Sequence, residues 1–78
     1  MQSSLALQIT ESDPYKRQGA IVEMARIATR KSRKDLATEL SVTPETVRLW
    51  EKGDRTISGV MLGRIAIALG QDVSLFLS

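Results

Sequence analysis

Apolar positions change their period several times along this chain. Leu5, Leu7 and Ile9 alternate with polar or small neighbours, which is the period of a strand. One short strand needs a partner to persist, so residues 1–12 read as an arm, possible as a strand only if paired. Asp13-Pro14 has the form of an N-cap followed by proline at the first helical position. A helix is expected over residues 14–30, with Ile21, Val22, Ala25 and Ala28 at roughly helical spacing. Arg30 and Lys31 would sit at its negative end, where cations are favoured.

Ser32 can cap a second, short helix carrying Leu36, Ala37 and Leu40, and Asp35 at its third position completes a weaker form of the capping box. Thr43 caps a third helix with Pro44 at its first position, and Gly53 supplies the left-handed residue that stops it. Val47 and Trp50 are three apart and must point inward together. Ser58 caps a fourth helix over residues 59–69, with Leu62, Ile65, Ala66 and Leu69 as its buried stripe and Gly70 as its end. Gly63 within it reads as the mark of a close helix contact. Asp72 can cap a last helical turn, "VSLFL"; an alternating strand through Val73, Leu75 and Leu77 is the competing reading, and the helical turn is preferred.

Composition narrows the chemistry. Seventy-eight residues make one small domain, and a chain with 42% apolar residues but one Trp, one Tyr and one Phe has an aliphatic core. With no Cys and no His, neither a disulfide framework nor thiolate chemistry nor an ordinary zinc site is expected, so no cofactor and no enzyme are expected. No apolar stretch approaches the ~20 residues of a membrane span, and no signal peptide is evident, so the expected location is the cytoplasm. Net charge is only +2, but residues 26–55 hold eight Lys/Arg against five Asp/Glu, a local +3. Arg30, Lys31, Arg33 and Lys34 fall close together. Such a run is either a solvated connector between helices or the place where a polyanion is drawn in.

The informative spacing runs from Arg33 to Lys52. Leu36 and Leu40 form one inner face, Val42 plugs the turn, and Val47 with Trp50 forms the inner face of the next helix. Ala37 is small so that this helix can cross close over it. Two helices with a short turn and a steep crossing constitute the helix-turn-helix unit, whose second member is free to enter the major groove. The segments "RKDLATELSVTPETVRLWEKG" and "LGRIAIALG" resemble the Cro/phage-repressor (XRE-type) helix-turn-helix family, over about residues 18–77. The resemblance implies an all-α, five-helix, lambda-repressor-like DNA-binding fold over residues 13–78, preceded by the arm.

It also implies site residues. The first residue of the second helix and the first half of the third face DNA in this family, which places Arg33, Glu45, Thr46, Arg48 and Leu49 as base contacts, with Pro44 making shape contacts. Phosphate contacts fall to Ser32, Lys34, Thr43, Lys52 and Arg55. Chemically, an arginine can fork onto guanine, a glutamate can accept from cytosine, and Thr46 and Leu49 can press on a thymine methyl. Glu45 serves equally well as a charge at the positive end of its helix, and Arg48 as a solvated cation. The resemblance further pairs Arg26 with Glu51 of the "W-E-x-G" segment, as a structural ion pair between helices.

Three departures from the family stand out. Ser41 occupies a turn position where glycine is common, Arg30-Lys31 replaces the usual Gly-plus-apolar approach to the second helix, and the arm lies outside the family core. One module of this size reads few base pairs, so double-stranded DNA bound by a homodimer is expected. Leu75, Phe76 and Leu77 are the favoured interface, with core packing as the competing reading and arm exchange through "SLALQI" as a further one. The expected function is a transcriptional regulator, a repressor on a palindromic operator. The alternative is an antitoxin that also binds a toxin through a terminal segment.

Overall fold

The computed structural model describes residues 13–77, and among them every regular element is helical. The helices are α1 (Pro14–Ala28), α2 (Arg33–Leu40), α3 (Pro44–Lys52), α4 (Gly59–Leu69) and α5 (Ser74–Leu77). The expected arm, strand or not, lies outside the described residues.

Local chemistry starts each helix where its capping side chain stands. Asp13 Oδ1 accepts from the Lys16 amide at 3.0 Å, Thr43 Oγ1 from Thr46 at 3.1 Å and Ser58 Oγ from Met61 at 3.1 Å. At α2 the capping box is complete: Ser32 Oγ accepts from the Asp35 amide at 2.9 Å, and Asp35 Oδ2 accepts from the Ser32 amide at 3.1 Å. Those hydrogen bonds to Ser32 hold the Asp35 carboxyl below the usual carboxylate range. Asp72 is held down in the same way by the Ser74 amide that opens α5.

The first four helices all stop by one device. An amide just past each end, three residues on at α1 and two at the others, reaches back to a carbonyl five residues earlier: Lys31 to Arg26, Val42 to Ala37, Asp54 to Leu49 and Gln71 to Ala66. This Schellman closure needs a left-handed residue in between. Gly53 and Gly70 supply it at α3 and α4, while Ser41 (φ 59°) and Arg30 (φ 60°) supply it at α2 and α1. A side chain in that conformation costs ~1–2 kcal/mol, so the two connections flanking α2 carry strain that the surrounding packing offsets. The closure at Arg30 also explains why α1 ends at Ala28 and not at residue 30. Thr29 seals that end, its hydroxyl donating toward the Ala25 and Arg26 carbonyls at 3.2 and 2.9 Å.

Packing sets the α2–α3 unit against α1. Leu36, Ala37 and Leu40 of α2 meet Val47 and Trp50 of α3, with Val42 half-buried in the turn, as the spacing predicts. Val22 and Ala25 of α1 and Leu62, Ile65, Ala66 and Leu69 of α4 close the core from the other sides. Ile57, in the loop before α4, joins it. Phe76 of α5 is 1% exposed. Its burial in the core of its own chain corrects its assignment to a dimer interface: the only phenylalanine serves as the plug that seats α5 on α1, and only Leu75 and Leu77 face outward.

The close helix approach is not at Gly63, around which a Cβ would meet nothing within 4 Å. It is at Gly19, where a Cβ would fall 2.1 Å from the Trp50 carbonyl oxygen and 2.8 Å from that of Glu51. The backbone of α1 therefore lies directly on the end of α3. That contact fixes the angle at which α3 leaves the body of the protein.

Candidate nucleic-acid interface

One face of α3 is locked. Val47, Trp50 and Glu51 are buried, and the Glu51 side chain has no exposed surface. Arg26 of α1 donates to it through Nε at 2.6 Å and NH2 at 3.2 Å. Its remaining nitrogen donates to the Lys31 carbonyl at 2.8 Å. The carboxylate, as hydrogen-bond partner and opposite charge, raises the Arg26 guanidinium above its ordinary value despite partial burial. The Arg26–Glu51 pair is thus present, as the family resemblance implied.

Arg33 also donates to Glu51, from Nε at 2.8 Å, and its NH2 lies 3.4 Å from Glu23 of α1. Arg33, expected as a base contact, is thus held by two carboxylates within the chain while part of its side chain stays exposed. Each carboxylate oxygen has two lone pairs, and Glu51 Oε1 accepts from both Arg26 NH2 and Arg33 Nε, the latter from the first residue of α2. Arg33 ties α1, α2 and α3 together. The basic run shrinks further at Lys31, whose ammonium donates to Glu39 and to the Ala68 carbonyl, both at 2.6 Å. Of the four clustered cations, two are structural clamps, and Lys34 and Arg30 remain exposed.

The opposite face of α3 is open. Pro44 and Glu45 are exposed, and Thr46, Arg48 and Leu49 are half-buried. Glu45 and Arg48 pair with each other, with Arg48 Nε 2.8 Å from Glu45 Oε1. Each holds the other charged: Arg48 depresses the Glu45 carboxyl, and Glu45 raises the Arg48 guanidinium. The net charge of this edge is consequently small until one member turns to another partner. Thr46 Oγ1 shares a hydrogen bond with Thr43 Oγ1 at 2.9 Å. Arg55, in the loop after α3, brings NH1 to 3.4 Å from the same Thr46 hydroxyl. Lys34, Lys52 and Arg55 are exposed at the margins of α2, α3 and the following loop. Ser32 and Thr43 both use their hydroxyls on the amides of their own helices.

Sequence reasoning missed the parts that depend on distant partners. Gly19, Glu23 and the clamp by Lys31 carry no local signature. Arg64 of α4, whose NH2 donates to the Leu40 carbonyl at 3.1 Å and so braces the end of α2, carries none either. Among the described residues no helix is long and apolar enough to cross a membrane, and no group of His, Cys, Asp and Glu is arranged to hold a metal ion.

A locked inner face and an open outer edge on the second of two helices packed together across a short turn define a helix-turn-helix DNA-binding domain. Residues 22–76 match the helix-turn-helix family model of the XRE, Cro/phage-repressor type, and the chain belongs to that family. Among solved structures it is similar to the clp gene regulator ClgR from Corynebacterium glutamicum. That likeness has a TM-score of 0.78 and 25% identity over 82% of this chain and 83% of that one. It is also similar to part of the hydroxypropylphosphonic acid epoxidase from S. wedmorenis. There the TM-score is 0.75 and the identity 30%, over 80% of this chain but only 33% of the epoxidase. No curated protein sequence matches the chain.

Proposed function

We propose that this chain is a sequence-specific regulator of transcription that binds operator DNA through α3, as a homodimeric repressor in the cytoplasm. The observation that carries the reading is the division of α3. Buried anchors Val47, Trp50 and Glu51 fix its orientation, while Glu45, Thr46, Arg48 and Leu49 stand on the open edge. Leu49 supplies an apolar contact for a thymine methyl, and Arg48, released from Glu45, a donor for a guanine edge. Lys34, Lys52 and Arg55 hold the flanking phosphates, together with the helix N-termini at Ser32 and Thr43. Arg33 acts by positioning α2 against α3. The likeness to a protein described as a gene regulator supports the same reading.

A second copy follows from the small reach of one module. Leu77, 64% exposed at the end of α5, is the residue assigned to that contact, with Leu75 beside it. The antitoxin alternative rests on residues 1–12, outside the described residues, and no observation favours it.

Two variants test the division of labour on a bound duplex. Lys52→Ala should weaken binding to all sequences alike and lower the salt slope by about one. Leu49→Ala should keep the slope and lose ~1–3 kcal/mol of discrimination at one base pair. Equal, sequence-independent losses in both would remove α3 from base reading.

A further inference from the structure

Leu40 ends α2 with a carbonyl that the local backbone does not satisfy. In a continuing helix the amide four residues on would donate to it, but that residue is Pro44, and proline has no N–H. Among the described residues no backbone amide outside the helix donates to that oxygen either. Its partner comes from α4, where Arg64 NH2 donates to it at 3.1 Å. Arg64 and Leu40 line a cavity of about 250 Å³ together with Glu39, Ile67 and Ala68. On that side the end of α2 is held by a reaching side chain, not by close packing. Only Ser41, Val42 and Thr43 then separate it from α3.

We propose that Arg64 is a positioning residue for DNA recognition, which fixes the Leu40–Ser41 peptide and through it the direction in which α3 starts. The inference rests on α3 as the reading helix. The oxygen that Arg64 holds belongs to the peptide joining Leu40 to Ser41, so its direction sets ψ of Leu40 and φ of Ser41. Ser41 stands at φ 59°, a strained conformation for a residue with a side chain. Rotating that peptide would carry Ser41 toward negative φ and relieve the strain. It would also redirect the three residues that lead into α3. Arg64 opposes the rotation, because the oxygen cannot turn without losing its donor. Lys31 pins the other end of the same pair of helices, donating to Glu39 of α2 and to the Ala68 carbonyl of α4, both at 2.6 Å. The helix that carries Arg64 is thereby kept within reach. A glycine at position 41 would adopt the same φ without strain and would need no such hold. Serine there is what makes the arginine necessary.

Arg64 is exposed, so the competing role is direct contact with a DNA phosphate, and a double-mutant cycle separates the two. On the duplex selected by the unmodified chain, Arg64→Ala should weaken binding roughly three- to tenfold and leave the salt slope unchanged. In a Ser41→Gly background the same change should cost almost nothing, since residues that act through one another are not additive. Equal losses in both backgrounds would overturn the proposal, and a salt slope lower by about one would assign Arg64 to a phosphate instead. Amide exchange of the free protein reads the turn without DNA, and so stands even if no duplex is bound and the reading of α3 fails. Arg64→Ala should speed exchange several-fold at Ser41 and Val42, whose amides close the end of α2. Arg64→Lys, which keeps a donor, should restore the slower rates, and the buried Val22 and Ile65 should not change. Acceleration spread evenly over all amides, or none at Ser41 and Val42, would contradict the proposal.

Discussion

Glu51→Ala is expected to lower the melting temperature more than any other single substitution outside the apolar core. The carboxylate it removes is fully buried and holds two guanidiniums, Arg26 directly between α1 and α3 and Arg33 from the start of α2. Removing one member of a buried pair leaves an uncompensated charge and costs ~3–5 kcal/mol. A domain of this size has roughly 4–12 kcal/mol in total, at ~0.05–0.15 kcal/mol per residue. The drop in melting temperature should be about 12–40 °C, at ~4–8 °C per kcal/mol. Glu51→Gln should fall between the two, since the amide oxygen can still accept one hydrogen bond while the charge is lost. Circular dichroism melts of the three proteins decide it. A Glu51→Ala protein that melts with the wild type would show that the network adds no stability.

The second large effect is Gly19→Ala, and its direction is opposite to that of the same change at Gly63. Both glycines lie inside helices, where alanine is ordinarily better by ~0.5–1 kcal/mol. At Gly63 the new methyl meets open space, so urea melts should show that modest gain. At Gly19 it would fall 2.1 Å from the Trp50 carbonyl oxygen, a backbone atom that cannot rotate away. Helices α1 and α3 would have to separate by roughly an ångström, and such overpacking costs ~1–3 kcal/mol or more. The same displacement stretches the Arg26–Glu51 hydrogen bonds, which cross the same pair of helices. Gly19→Ala should therefore also reorient α3 and weaken DNA binding beyond what its stability loss explains. Equal melting of the two variants would mean that α1 does not rest on the backbone of α3.

What was legible in the sequence was local or periodic. Asp13, Ser32, Thr43 and Ser58 announce helix starts because a short polar side chain satisfies amides within three residues of itself. Gly53 and Gly70 announce stops because glycine takes the left-handed conformation without strain. The inward stripes of α2, α3 and α4 follow from the 3.6-residue period. Arg30 shows where this reading ends: arginine has no preference for the left-handed region, so nothing in its identity marks it as a helix stop. Gly19 and Gly63 look alike in sequence, and only the path of another helix separates them. Arg33 likewise reads only as a base contact until Glu51 and Glu23 are brought beside it from other helices. Phe76 belongs with these, since an aromatic residue near an end suits an interface and a core plug equally well until α1 is in place.

The central claim is that α3 reads DNA from its open edge. Selection of binding sites from random duplexes, followed by a salt titration on the selected sequence, tests it most directly. The expected result is a palindromic motif whose half-site centres are about one helical turn apart, ~34–36 Å, with affinity falling steeply as salt rises because lysine and arginine contacts displace counterions. Recovery of no motif, together with an affinity indifferent to salt, would contradict it.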